Sequence, residues 1–442
     1  MRHSYLYRLD PMGTGTEMVE SLTSYISRLA IAHCVPVKTL VFEVLAPRLA
    51  ISMDRSYSRF FKEYAVSING LGEYATGFST LLDELTIRKD LSFLTMLGLK
   101  DVFDRRGKGL LKSVKVWCPY CFKEQKASGT PLFEPLLWTI SPITFCRKHQ
   151  CELRSFCPSC KMEQPILARD TLIGQCAHCG DELNDPEKYE GTILGSSLDK
   201  WQEWLSAMVG NIMIAIQRRQ IDPTWDLLQK GVKNAIDVFA SGNAKNLDAA
   251  LGFGRGTLTQ WRRGRCRPRF DYFFHFCYRL GLDPISFLSN QGNFEISGIS
   301  IEKTDSMLQK APPRIWRTQH QDHASILKEL DLLVGTEDYC LSLEKVAENL
   351  KVGIGYLRYR FPKQSRKISA RYKEGILRRA EETFDRKGQA ISATVREFME
   401  RGEYPSKERV FRNAPGVSFP DGRNPKLAEI WKATLIESSS SK

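Results

Sequence analysis

Between Cys118 and Cys179 the chain reads CPYC (118–121), CRKH (146–149), CPSC (157–160) and CAHC (176–179). That is eight soft metal-type ligands in four consecutive pairs. Zinc takes four such ligands in a tetrahedron, and a two-residue spacer lets one tight turn supply two of them. Four turns therefore complete two sites. The simplest pairing is sequential: Cys118, Cys121, Cys146 and His149 hold one ion, and Cys157, Cys160, Cys176 and Cys179 hold the other. An interleaved pairing satisfies the same count, and disulfides are the alternative chemistry for so many cysteines. Cys151 and His178 sit beside the pairs but out of register; either could replace an assigned ligand, and the plainer reading is that both are ordinary neighbours. Four protein ligands leave no open corner for a water or a substrate, so both sites read as structural. Lys161–Gln175 offers few large apolar residues, so folding of residues 115–185 is expected to depend on the metal.

Outward from that stretch, the totals narrow the classes. A chain of 442 residues is too long for one core. Its hydrophobic share of 42% is ample for packed domains. No apolar run approaches the roughly 20 residues of a membrane span, and MRHSYLYRLDPMGTG lacks the apolar stretch of a secretory signal. Twelve cysteines in such a chain point to a reducing compartment, the cytoplasm. The net charge of +13 is uneven: residues 1–190 carry 24 basic and 22 acidic side chains, residues 191–442 carry 40 and 29. Thiolates on two zinc ions take the front half to neutral or below. The basic back half seeks polyphosphate.

The expected fold is mainly α and multidomain. Small zinc-knuckle modules occupy the N-terminal half and tandem helix-turn-helix domains the C-terminal half. The divisions are 1–114, a helical region; 115–190, the double zinc module; 191–300, a helical region with the first helix-turn-helix; 301–375, the second; and 376–442, a third such unit with the tail. Residues 16–34 read as an amphipathic helix capped by Thr16, with Met18, Leu22, Tyr25, Ile26 and Leu29 on one face. Residues 36–49 and 79–97 continue in helical pattern, with Asn69-Gly70 and Gly72 breaking them. Asp185-Pro186 and Gly191–Ser197 mark a boundary before a helix over Leu198–Arg219.

In the back half, NLDAALGFGRGTLTQWRRGRCRPRF (246–270) divides into a helix to Leu251, a Gly252–Gly254 turn and a second helix over Arg255–Arg263. Two helices across a glycine turn make the helix-turn-helix arrangement. The stretch resembles the Cro/repressor type of DNA-binding domain, with Trp261, Gly264 and Pro268 closing the recognition helix. Arg255 to Arg269 holds six arginines and no acid. Arg255, Thr257, Thr259, Gln260, Arg262, Arg263, Arg265 and Arg267 are the candidate DNA contacts, since arginine offers a planar fork to guanine edges and phosphates. The alternative is a basic solvated face. A second unit follows the linker Ala311–Arg314, with helices Leu343–Leu350 and Ile354–Phe361. Its candidates are Arg358, Arg360, Lys363, Arg366, Lys367, Arg371 and Lys373. A third, fainter unit has Pro405-Ser406 capping a helix through Phe411, with Lys407, Arg409 and Arg412 exposed.

The order of parts is informative too. DPMGTGTEMVESLTSYISRLA (10–30) is followed by CPYC, the W-x-I-x-P stretch Trp138–Pro142, FCRKHQCEL, CPSC and CAHCGDEL. Over residues 8–185 this resembles the TniQ/TnsD family of transposon target selectors. The R-x-x-FP-K and RY stretches near Phe361-Pro362 and Arg371-Tyr372 resemble its longer, TnsD-like branch. Gly13–Gly15 is looser than the family's proline-rich opening. The resemblance implies a non-enzymatic protein that binds a double-stranded attachment site and recruits a TnsC-like AAA+ ATPase, alongside other transposase subunits. Tyr5, Tyr7 and Arg8, in a segment free to extend ahead of the first helix, are the candidate partner contacts. A disordered start is the plainer reading.

Two rival functions remain. One is a TniQ adaptor linking an RNA-guided CRISPR effector complex to the transposition machinery; the other is a zinc-containing transcription regulator. An enzyme lacks support in the motifs, with no phosphate loop, H-E-x-x-H or dinucleotide fingerprint.

Overall fold

The computed structural model describes residues 3–51, 59–104, 109–189, 200–289, 323–335, 341–350, 352–417, 421 and 424–440. Arg2, the boundary stretch Gly191–Ser197 and the linker Ala311–Arg314 lie outside these. The fold is mainly helical. Among the described residues one two-stranded ladder occurs, β1 (Phe145–Cys146) antiparallel to β2 (Cys151–Glu152), with isolated bridges around it. The chain divides into two compact units: one contains residues 1–303 and 390–442, the other residues 304–389.

In the first unit, helix Leu22–Ala32 buries Leu22, Tyr25, Ile26 and Leu29, a spacing that lays one face on the core. It starts six residues later than the apolar periodicity suggests. Ser21 is the cap, its side chain accepting from Ser24 N, whereas the Thr16 hydroxyl turns back to the Gly13 carbonyl at 2.7 Å. Residues 19–21 are extended instead, because they pair with the zinc-module segment: Leu136 N donates to Val19 O and Ser21 N to Glu134 O. A second helical run opens at Val37–Thr39, widens over Leu40–Leu45 and tightens over Ala46–Arg48. No single described helix is long and apolar enough to cross a membrane.

The pattern over 79–97 resolves differently. The helix runs Glu73–Thr86 and stops where Ile87 adopts φ 54°. Arg88 then ion-pairs with Asp10 and Asp90 at 2.7 Å each, and short turns follow. Nor is the N-terminal segment free to extend. Leu6 is buried with its N–H on Leu85 O, Tyr25 Oη donates to Leu9 O, and Gly15 N donates to Gln217 Oε1. One buried apolar residue and a string of hydrogen bonds hold the segment down, and Tyr5 and Tyr7, though largely exposed, pack under Arg48 and on the His33 ring.

Helix Lys200–Gln217 packs against the short β1 element and against the turns Leu91–Leu94 and Leu136–Thr139. After it come Trp225–Ala240, Ala244–Leu251, Thr257–Arg262, Phe270–Leu280 and Pro284–Leu288. The Phe270–Leu280 helix buries four phenylalanines. Phe103 reaches two of them, with ring centroids 5.3 Å from Phe270 and 5.4 Å from Phe273. The first basic region is therefore built onto the N-terminal region. The unit also contains Lys407–Asn413 and Pro425–Ser440, where Trp431 Nε1 donates to Pro405 O at 2.9 Å.

The second unit packs His323–Gly335, Leu343–Asn349, Ile354–Arg360 and the front of a long helix, Pro362–Glu400. Leu330, Val346 and Leu357 form its centre. The long helix passes without interruption through residue 375, where the sequence places the border between the second and third units. Neither Gly375 nor Gly388 takes a positive φ, so neither ends it.

Candidate metal centres and basic units

Three of the four ligand pairs are closed in one way. The residue after the second ligand adopts a left-handed conformation: Gln150 (φ 51°), Lys161 (φ 56°) and Gly180 (φ 74°). The chain thereby doubles back, and Lys161 N and Gly180 N donate to the carbonyls of Cys157 and Cys176. The first pair differs. Cys118 caps helix Pro119–Ala127, and Pro119 at its first position presets φ for the turn.

These turns bring Cys118, Cys121, Cys146 and His149 into one cluster, and Cys157, Cys160, Cys176 and Cys179 into another. Within each, the donor atoms lie within 4.8 Å of one another. In the first, Cys121 Sγ is 3.7 Å from Cys146 Sγ, and His149 Nδ1 is 3.2 Å from Cys121 Sγ and 3.5 Å from Cys118 Sγ. In the second, Cys157–Cys179 and Cys160–Cys176 are 3.6 and 3.5 Å apart. A disulfide requires about 2.05 Å, and every described cysteine is a free thiol. Sulfurs around a tetrahedral ion at about 2.3 Å sit about 3.8 Å apart along each edge, so the spacing suits a cation. The clusters share one core, with Trp117, Phe122, Trp138 and Leu183 between and around them. Trp117 Nε1 donates to Tyr189 Oη at 3.0 Å, which donates on to Leu183 O.

Electrostatics point the same way. Crowding splits the acidities of the thiols. Hydrogen bonds, first from Cys118, hold Cys146 far below the ordinary thiol range, and Cys157 does the same for Cys176. Cys121 and Cys160 are pushed far up by their neighbours Cys118 and Cys157. A divalent cation relieves that conflict by taking all the donors deprotonated. His149 presents Nδ1 to the cluster while Nε2 meets Glu124 Oε1 at 3.0 Å, and its ring stacks on Tyr120. A carboxylate behind a ligating imidazole fixes its tautomer and orientation. Glu124 carries no motif signal. Its position one helical turn past Cys121, on the helix that Cys118 caps, is the only sequence trace of it.

His178 is not among the clustered donors. Its Nε2 lies 2.9 Å from Glu163 O, and only its backbone N–H meets Cys176 Sγ. Cys151 is different: its Sγ is 3.6 Å from Cys118 Sγ.

The basic residues separate into exposed and structurally engaged sets. On the first unit Arg255, Gln260, Arg263 and Arg265 are exposed, while Thr257, Thr259 and Arg262 are half-buried. Thr257 Oγ1 donates to Gly254 O at 2.6 Å. Arg267 is tied inward, its Nη1 on Lys100 O at 2.8 Å and its guanidinium over Trp225. The short helix Thr257–Arg262 has no cap of its own. Buried Asp248, on the preceding helix, accepts from Gly256 N at 2.8 Å and Leu258 N at 3.0 Å, a role hidden in a residue type usually exposed.

On the second unit Arg358, Arg360, Lys363, Arg366, Lys367 and Lys373 are exposed. Arg371 instead caps helix His323–Gly335, donating to Val334 O at 2.5 Å and Leu333 O at 3.4 Å. In the C-terminal part Lys407 is exposed, Arg409 pairs with Glu403 and lies over Phe398, and Arg412 pairs with Glu408 at 2.8 Å.

Residues 11–153 match the family model described as TniQ. The chain carries a TniQ domain over that span. No curated protein matches the chain. The TniQ match closes just past β2, so it takes in the whole first cluster and stops before Cys157. It marks the protein as transposition-associated.

Proposed function

We propose that this TniQ-domain protein selects a transposon's insertion site by reading duplex DNA and recruiting an AAA+ ATPase of the TnsC kind. In this reading it is TnsD-like, non-catalytic and zinc-loaded at both cysteine clusters. Closed sets of three or four thiolates suit zinc in a structural role. The observation that carries the reading is the exposed, acid-free row Arg255, Gln260, Arg263 and Arg265 around helix Thr257–Arg262. Asp248 braces that helix across a glycine turn, as a helix-turn-helix recognition element needs.

Phosphate contacts supply affinity and a few groove-facing side chains supply choice. Arg263 and Gln260 are suited to base edges. Arg358, Arg360, Lys363, Arg366, Lys367 and Lys373 supply phosphate contacts from the second unit. Arg409 and Arg412, already paired with Glu403 and Glu408, contribute less than Lys407. Exposed Tyr5 and Tyr7, with Arg8, are the proposed ATPase contacts, since aromatic and arginine side chains anchor interfaces.

The test is selection of bound duplexes from fragmented genomic DNA by the full chain at fixed salt, followed by gel shifts against scrambled sequence. Arg263→Ala should cost about 1–3 kcal/mol on the selected site and relax preference at one base pair. Lys373→Ala should weaken every sequence alike. Tyr5→Ala with Tyr7→Ala should leave DNA binding intact and lower ATPase recruitment. If the wild-type chain binds chosen and scrambled DNA equally, the selector reading falls and the guide-complex adaptor takes its place.

A further inference from the structure

The first metal cluster holds more donors than a tetrahedron has corners. β1 and β2 pair in a register that sets Cys146 directly opposite Cys151. Directly opposed residues of an antiparallel ladder project to the same side, so the ladder delivers a second thiol to the cluster that Cys146 serves. Cys151 is 1% exposed, and its Sγ lies 3.6 Å from Cys118 Sγ, one tetrahedral edge away. Cys121–Cys146 stands at 3.7 Å and Cys146–His149 Nδ1 at 3.7 Å. Cys118, Cys121, Cys146 and His149 thus surround the position that one ion would take, and the Cys151 thiol stands at the edge of that set beside Cys118. His149 is the outermost of the five, half-buried and held from the surface by Glu124. Among the described residues the second cluster gathers only its four thiols, and neighbouring His178 is engaged with Glu163 O.

We propose that Cys151 is an alternate fourth ligand of the first centre, able to take the His149 corner and convert a set of three thiolates and one imidazole into a set of four thiolates. This rests on the reading of both clusters as metal centres. Three sulfurs common to both sets stay in place while Cys151 Sγ takes the corner that His149 Nδ1 vacates, its proton passing to the freed imidazole. The first centre then tolerates loss of its histidine, whereas the second tolerates loss of none of its ligands.

The test uses the full chain, with zinc content per chain and the sulfur-to-metal charge-transfer band of the cobalt-substituted protein as readouts. Wild type should hold two ions, with a band of seven thiolate bonds. Fewer than two would defeat the metal reading itself. His149→Ala should still hold two ions, and its band should grow by about one part in seven. Cys151→Ser should hold two ions with the wild-type band. The double variant should retain one ion, with the second centre's four-thiolate spectrum showing that the rest of the chain is folded. Should His149→Ala alone fall to one ion, or keep two without gain in the band, Cys151 is no ligand. Should Cys151→Ser alone lose an ion, it is a primary ligand and the alternate role is wrong.

Discussion

Arg28→Met is the most exacting single test of the packing in the TniQ domain. Glu20 is fully buried, and Arg28 Nη1 meets its Oε2 at 2.6 Å. The carboxylate also accepts from Ser24 Oγ at 2.8 Å and Met12 N at 3.2 Å. Removing one partner of a buried pair costs about 3–5 kcal/mol. The two surviving hydrogen bonds place this case at about 3–4 kcal/mol, a large part of the roughly 5–15 kcal/mol typical of a domain. Burial already raises Glu20 above the ordinary carboxylate range, and Arg28's charge is the chief influence opposing it. Without Arg28 the group rises further. A carboxylate raised in the folded state costs nothing below its unfolded pKa and becomes a penalty as pH climbs through the folded value. The variant's deficit against wild type should therefore widen as pH rises above the ordinary carboxylate range. Urea unfolding, with hydrogen exchange of the Leu22–Ala32 amides, reads it directly. Glu20→Gln with Arg28→Met should recover most of the loss, because no buried charge is then left alone. A deficit below about 0.5 kcal/mol at pH 8, the scale of an ordinary surface change, or one that narrows as pH rises, refutes the reasoning.

Three further outcomes are expected. Chelation should unfold residues 115–189, and Cys176→Ser should strip one ion while the first centre stays loaded; circular dichroism and zinc content check both. Asp248→Ala removes two charge-assisted bonds from a buried helix start and should cost about 2–4 kcal/mol, seen as faster exchange of the Leu258 amide while Leu22–Ala32 is unchanged. Arg267→Ala, which breaks contacts to Lys100 O and Trp225, should lower thermal stability more than Arg263→Ala, whose side chain is exposed.

What can be read from the sequence follows the range of the interactions. The knuckles are legible because each turn is local, set by two ligands and the residue after them. Cys151 shows only as a neighbour, since strand register, not spacing, brings it to Cys118. The periodicity of Met18 with Leu22 misplaces the start of the first helix. Residues 19–21 pair with a segment 115 residues away, and nothing local announces that. The N-terminal segment reads as free because only Leu6 is buried, and backbone bonds leave no mark in composition. Arg267 and Arg371 look like their exposed neighbours. Only the carbonyls they reach distinguish a brace from a contact.

If the proposed function holds, the rings of Phe103, Phe270 and Phe273 carry a consequence for how distance is measured along DNA. They join the TniQ domain to the first basic helix by packed aromatic faces, and Arg267 spans the same seam to Lys100. A protein whose reading head is fixed to its body this way works as a set square, with no swivel between the two arms. On the proposed function, a duplex gripped at Arg255–Arg265 would leave at one angle and one rotational phase, so that whatever the body holds would meet the same face of the double helix each time. Insertion at a constant offset and in a constant orientation is then a property of the seam. Loosening it with Phe103→Ala should blur the offset before it weakens the grip.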